Sequence, residues 1–352
     1  MKSNSAPGPR LLSIATAVPG YPLSQNEVLT RASAYLPGID ASALRRLMPV
    51  YENAGIDTRY SCVPPDWYEK PHGWAEKNQL YLDNAVDLIE QASIKALEKA
   101  NVDKDAIDMV IAVSTTGIAT PSLDALLMER MNLRRDVERL PIFGLGCAGG
   151  ILGLARAAEF ARAAPGKTIL MVAVELCGLT FRRADNSKAN VIATALFGDG
   201  AAAAVIRFGD EGAAFEHAGE HTWPDSLDVM GWRVEEDGLG VVFSRDIPSL
   251  TRTEFREVAG EFMTRNSLSF ADIDWYVCHP GGAKVLDALE EAFGLGPGAL
   301  SHSRGVLRDY GNMSAVTILF VLERVLAEQR TGRYFLSSLG PGFTAAFLTM
   351  VA

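Results

Sequence analysis

Three residues of this chain have the type and setting for covalent chemistry. Cys147 lies in Gly144-Leu145-Gly146-Cys147-Ala148-Gly149-Gly150, where the small neighbours allow a sharp turn and the close approach of a substrate. It stands where an alanine-rich helix should begin, so a thiolate there would gain from unpaired amides and the helix dipole. A protonated histidine nearby would lower the thiol pKa further and give a nucleophile suited to thioesters. His279 ends a predicted strand before Pro280-Gly281-Gly282, which fixes the chain direction and leaves space beside the imidazole. His72, His217, His221 and His302 have no such setting. Asn312, in Tyr310-Gly311-Asn312-Met313-Ser314, offers a neutral amide that can donate two hydrogen bonds to an oxyanion. Taken singly, Cys147 reads equally as a core cysteine and Asn312 as a helix N-cap. Taken together they do more. A His and an Asn donating to one thioester carbonyl would stabilise the enolate formed when a malonyl thioester loses CO₂. That carbanion could attack an acyl group held on Cys147.

Cys, His and Asn in this chain order also occur in papain-like proteases, and His279 follows Cys147 by 279 − 147 = 132 residues, within their spacing. The protease context Cys-Gly-Ser/Ala-Cys-Trp/Tyr is absent, however, and Cys147 is far from the N-terminus. Bulk properties exclude other classes. A net charge of −10 with no Lys/Arg run argues against a polyanionic partner such as nucleic acid. No apolar stretch approaches the roughly 20 residues that a membrane helix needs. Residues 1–10 are rich in Ser, Pro and Gly and are expected to be a frayed tail without a signal core. Four cysteines, at 62, 147, 177 and 278, make no disulfide framework and no Cys-x-x-Cys metal spacing. A reduced, cytoplasmic, soluble protein is expected.

Apolar runs alternate with helical periodicity, which predicts α/β layers. Helices are predicted over 79–101, 150–164, 253–266, 283–293 and 314–329. Buried strands are predicted over 108–114, 168–175, 201–207, 275–278, 334–338 and 346–351. Their order repeats. A strand ending near Thr116 precedes Cys147 by 147 − 116 = 31 residues, and the strand ending at His279 precedes Asn312 by 312 − 279 = 33. Cys147 and Asn312 each follow a glycine at the start of a helix. An offset of 312 − 147 = 165 residues is too long for a solenoid unit and implies two fused, similar halves. Packing of those halves about a pseudo-twofold axis would bring Cys147, His279 and Asn312 to their junction.

At these residues the chain resembles the chalcone synthase-like type III polyketide synthases of the thiolase superfamily, over nearly its whole length. The likeness rests on Gly-Cys-Ala-Gly-Gly at 146–150, Leu-Phe-Gly-Asp-Gly-Ala at 196–201, His-Pro-Gly-Gly at 279–282, Gly-Asn-Met-Ser at 311–314 and Gly-Pro-Gly-Phe-Thr at 340–344. Ketoacyl synthase III enzymes share the Cys/His/Asn logic but typically carry His-Gln-Ala-Asn, which makes them weaker relatives.

The resemblance implies a thiolase-like αβαβα fold, with 1–215 as the half bearing Cys147 and 216–352 as the half bearing His279 and Asn312. It gives Cys147 the acyl-carrying role and His279 and Asn312 the activation and decarboxylation roles. It makes Phe197 and Phe243 gatekeepers between a coenzyme A tunnel and a cavity. It assigns Thr115, Thr116, Cys177, Thr180, Gly231 and Ser314 to the cavity lining. Thr120-Pro121 matches a segment at a homodimer interface and is a candidate cis bond.

Two departures qualify the match. Plant members hold coenzyme A phosphates with three basic residues, whereas residues 49–60 here offer only Arg59, with Asp57 where a lysine is expected. The phosphates are then held elsewhere, with Lys284 as a candidate or as a plain surface lysine, or the starter arrives on an acyl carrier protein. Cys147 is also followed directly by Ala-Gly-Gly, and Cys177 stands where plant members have threonine, both features of the bacterial branch. The expectation is iterative condensation of malonyl-coenzyme A onto a long-chain fatty acyl starter, with coenzyme A thioesters as substrates and no separate cofactor or metal. Cyclisation would give alkylpyrones or alkylresorcinols. The alternatives are a malonyl, short or aromatic starter, a ketoacyl synthase III-like enzyme, or a catalytically silent relative that only binds substrate.

Overall fold

A computed structural model describes residues 6–244 and 247–352, apart from the side chains of Ala41 and Ala43. The predicted buried strands belong to one nine-stranded sheet. Its order is Trp275–Cys278, Arg333–Gly340, Thr344–Val351, Ala213–Thr222, Gly8–Ala17, Asp199–Gly209, Thr168–Leu176, Met109–Val113 and Glu138–Ile142.

The pairing repeats from each side toward the middle. Met109–Val113 runs parallel to Thr168–Leu176, as Trp275–Cys278 does to Arg333–Gly340. The next strands, Asp199–Gly209 and Thr344–Val351, turn back antiparallel. The innermost strands, Gly8–Ala17 and Ala213–Thr222, are antiparallel again and meet each other only through Arg10–Ala214 and Leu11–Ala213. The sheet is therefore two copies of one half-sheet, joined by a narrow seam. The chain crosses between them at residues 210–212, so a division at residue 215 falls inside strand Ala213–Thr222.

Both faces of each half-sheet are covered, which explains why the strands read as continuous apolar runs. In Thr168–Leu176, Ile169, Met171 and Ala173 point into the central core, while Leu170, Val172, Val174 and Leu176 join the outer one. Helix Gly149–Ala163 touches strands of both halves as well as helix Thr317–Leu326, so these two helices form the middle layer. Trp74–Ala100 covers the outside of the first half, and Phe255–Arg265 and Ser301–Tyr310 cover the second. The result is the expected αβαβα stack. The two inner helices come close because Gly150 has no side chain: a Cβ there would lie 2.2 Å from Ala315 O.

Several boundaries differ from expectation. Residues 1–5 of the expected tail lie outside the described residues, but Gly8–Ala17 is a central strand, with Arg10 buried and its Nε donating to Gly209 O. The predicted helix 253–266 is Phe255–Arg265, preceded by a separate short helix, Ile247–Thr253, that the sequence did not reveal. The predicted 314–329 helix begins as a short turn, Ser314–Val316, before Thr317–Leu326. Helices Gln25–Tyr35, Ala41–Glu52 and Lys188–Leu196 were not foreseen. The predicted Thr120–Pro121 cis bond is present. Among the described residues, no helix is long and apolar enough to cross a membrane.

Candidate active site

Cys147 sits in the turn Gly146–Ala148 that leads into helix Gly149–Ala163. The turn is tied to both halves. Thr115 Oγ1 accepts the Gly146 N–H at 3.2 Å, and Ser338 Oγ donates to Cys147 O at 2.7 Å. The Cys147 thiol lies 3.7 Å from Ser314 Oγ, in the turn that opens the other central helix.

His279 follows strand Trp275–Cys278, its backbone N–H on Ser337 O at 2.9 Å. The imidazole is buried, yet neither ring nitrogen has a hydrogen-bond partner in the protein. Asn312 lies two residues before the second central turn, Ser314–Val316. Its Oδ1 accepts the Ser314 N–H at 2.9 Å, which fixes the orientation of the amide. Its Nδ2 donates one hydrogen to Gly281 O at 3.2 Å and keeps the second. Cys147, His279 and Asn312 all line one cavity of about 490 Å³, together with Leu196, Met230, Phe243 and Ser338. The duplicated halves thus bring the three sequence-predicted residues to one site.

Electrostatics departs from the expected activated thiolate. Burial pushes the Cys147 thiol up to about 12; the Ser314 hydroxyl opposes this and the nearby Glu175 carboxylate adds to it. Burial pulls His279 down to about 3. The imidazole is therefore neutral near pH 7 and supplies no charge to the thiol. In the resting site the thiol is protonated and the unpaired imidazole is free to accept a hydrogen bond.

The remaining expected residues separate into groups. Phe243 lines the main cavity, and Phe197 lines a second chamber of about 50 Å³ together with Cys177, Thr180 and Tyr68. The two phenylalanine rings meet edge-on at 5.8 Å between centroids, so they stand where the spaces adjoin. Ser314 is at the thiol, as above. Gly231 lines neither space, but its neighbour Met230 lines the main one, and a Cβ on Gly231 would meet nothing within 4 Å. Thr115 and Thr116 do not line the cavity: their hydroxyls are spent on the Gly146 and Leu176 N–H groups, and they brace the site from behind.

Arg59 is a correction. It does not reach the cavity mouth; it is 3% exposed, and its amino groups are spent on Thr194, Ala195 and Phe197 carbonyls and on Gln25. Lys284 does line the main cavity and is exposed.

Two residues escaped sequence reasoning. Lys188, the exposed first residue of helix Lys188–Leu196, lines the same cavity as Lys284. Glu175 is fully buried next to the thiol, takes the Thr115 N–H at 3.0 Å, and is pushed up to about 7 by that burial. Its signal was present: it is the lone acid in the apolar strand Thr168–Leu176.

Comparison with known proteins decides the family. The model for the N-terminal domain of chalcone and stilbene synthases matches residues 5–210, and that for the C-terminal domain matches 215–350. The chain belongs to the chalcone and stilbene synthase family, the type III polyketide synthases. It is 39% identical to 1,3,6,8-tetrahydroxynaphthalene synthase of Streptomyces peucetius subsp. caesius, over 97% of this chain and 93% of that one. It is 30% identical to 3,5-dihydroxyphenylacetyl-CoA synthase of Amycolatopsis balhimycina, over 95% and 91%. The crystal structure of 1,3,6,8-tetrahydroxynaphthalene synthase from Streptomyces coelicolor A3(2) superimposes with a TM-score of 0.92 at 29% identity, covering 97% of this chain and 99% of that one. Family membership makes the chain an enzyme, a malonyl-coenzyme A-dependent acyltransferase, and the two alternatives outside type III synthases fall away.

Proposed function

We propose that Cys147, His279 and Asn312 carry out acyl loading, decarboxylation and condensation in the 490 Å³ cavity they share. The observation that carries this is the unpaired polar set aimed into one space: both His279 ring nitrogens and one Asn312 N–H. In loading, His279 takes the Cys147 proton as sulfur attacks the acyl thioester, and coenzyme A thiol leaves with a proton. Malonyl-coenzyme A follows, its thioester carbonyl accepting from Asn312 Nδ2 and His279. The C–C bond to the carboxylate breaks, CO₂ departs, and the electron pair enters that carbonyl as an enolate held by the two donors. The enolate carbon attacks the Cys147 acyl carbonyl, a C–C bond forms, and the thiolate is released.

Lys188 and Lys284, both in the lining of the cavity, would meet the phosphates of the coenzyme A or carrier-protein arm. Ile118 and Phe143, 51% and 62% exposed although apolar, support a homodimer formed near Thr120–Pro121.

For the starter, we favour a long-chain fatty acyl group leading to alkylpyrone- or alkylresorcinol-type products. The mainly apolar walls of both chambers, and Cys177 and Thr180 in the second, support it. A malonyl or short starter is the second reading, favoured by relatives named for tail-free aromatic products. The test is mass spectrometry of products from malonyl-coenzyme A with starters of about two to eighteen carbons, a span covering both readings, run on wild type and Cys147→Ala. Polyketides from Cys147→Ala would sink the nucleophile assignment. A preference for short starters would sink the long-chain reading.

A further inference from the structure

Helix Lys188–Leu196 ends in four consecutive carbonyls, Thr194 to Phe197, which are the groups a helix end leaves without intrahelical donors. Arg59, on strand Thr58–Ser61, lies across them. One of its amino groups donates to Thr194 O at 2.6 Å and Phe197 O at 3.2 Å; the other donates to Ala195 O at 2.9 Å and to the Gln25 side chain. The remaining carbonyl, Leu196 O, accepts the Asn312 backbone N–H at 2.8 Å, and Gly198 N–H returns to Asn312 O at 3.0 Å. One four-residue stretch, which includes Phe197, is thus gripped by Arg59 on one side and by the segment bearing Asn312 on the other.

The fit is close. Gly311 has φ +70°, and a Cβ there would lie 2.8 Å from Leu196 O and 3.4 Å from Arg59 Cβ. No carboxylate forms an ion pair with Arg59 among the described residues. Its compensation for burial comes from the carbonyls, the negative end of the helix dipole and the field of the buried Asp199 carboxyl. The guanidinium, brought down to about 10 by burial, stays charged near pH 7.

We propose that Arg59 is a positioning residue for the condensation: by capping helix Lys188–Leu196 it holds Asn312 and the Phe197 gate in register across the cavity. This rests on the role given to Asn312 above. A planar fork can span three carbonyls, and a lysine ammonium on a flexible stem cannot reproduce that geometry.

The test is Arg59→Lys in the full chain, with three readouts: thermal midpoint, CO₂ release from malonyl-coenzyme A, and iodoacetamide alkylation of Cys147. The hydrogen bonds that hold the Cys147 turn run to Thr115 and Ser338, not to the Arg59 stretch. We expect a folded protein that alkylates at the wild-type rate but releases CO₂ about ten- to 100-fold more slowly, the loss that a misplacement near 1 Å produces. A purely structural role would lower CO₂ release only in proportion to the folded fraction lost, and would speed alkylation, because unfolding frees the Cys147 thiol from the burial that holds its pKa up. CO₂ release that falls no further than the folded fraction, or that stays within about twofold of wild type in folded protein, overturns the proposal. Should Arg59→Lys not fold, Gln25→Leu decides, since it leaves the arginine but removes its side-chain partner and also the Gln25 Nε2 bonds to Ala195 O and Tyr51 O, loosening the same capped stretch. A selective loss of CO₂ release supports the proposal, and unchanged release overturns it. Wild type that releases no CO₂ at all would instead refute the function proposed for the site.

Discussion

Asn312→Ala separates the two halves of the proposed chemistry. The amide spends Oδ1 on the Ser314 N–H and one Nδ2 hydrogen on Gly281 O, so a single N–H remains for an enolate oxygen. Removing one oxyanion donor from a buried site typically costs about 2.7–4 kcal/mol, a factor of 10²–10³ in rate. The alanine also leaves the buried Ser314 N–H without its acceptor, at about 1–3 kcal/mol of stability. Asn312→Asp complements it: the variant keeps an acceptor for Ser314 and nearly the same shape while losing the donor, although its second oxygen then faces Gly281 O. CO₂ release from labelled malonyl-coenzyme A reports decarboxylation, and intact-mass detection of acylated Cys147 reports loading. Both variants should lose about 10²–10³ in CO₂ release while loading stays within about threefold. Equal losses in loading and CO₂ release would mean that Asn312 does not serve the enolate in particular, and the division of roles would be wrong.

Two further outcomes follow from the electrostatics. With the Cys147 thiol pushed up to about 12 and His279 neutral, the thiolate fraction in the free enzyme grows with pH throughout the accessible range. Iodoacetamide alkylation should therefore rise about tenfold per pH unit to at least pH 9; a plateau below pH 8 would show that an imidazolium activates the resting thiol. The double variant Lys188→Glu/Lys284→Glu should raise KM for malonyl-coenzyme A about tenfold with kcat nearly unchanged, and the effect should shrink in high salt. A fall in kcat at unchanged KM would remove the lysines from phosphate binding.

What the sequence makes legible here is whatever repeats. The strand order on each side of Cys147 and Asn312 exposed the duplicated halves, and the half-sheet pairings follow it strand by strand. The first 75 residues were opaque for the opposite reason. Helices Gln25–Tyr35 and Ala41–Glu52 have no counterpart in the repeat, and Pro49 sits inside the second helix, where a periodicity argument expects an end. The pKa of Cys147 was misjudged because the sequence displays the helix start but not the depth of burial, and burial is the larger effect.

Arg59 shows most sharply where local reading fails. A lone arginine in a polar stretch suggests a phosphate contact, and only contacts 135 to 138 residues away, to Thr194 and Phe197, reveal a buried cap. The cations that line the cavity are instead Lys188 and Lys284, each in the first turn of a helix. The two observations are connected. The helix that starts with Lys188 at the cavity wall ends under Arg59, beside Phe197 and the Asn312 backbone. One nine-residue helix therefore spans from the proposed coenzyme A contact to the proposed decarboxylation site, and Arg59 fixes its far end. A shift of that helix on substrate binding at Lys188 would be felt at Asn312, which is why the Arg59 and lysine variants belong in the same kinetic series.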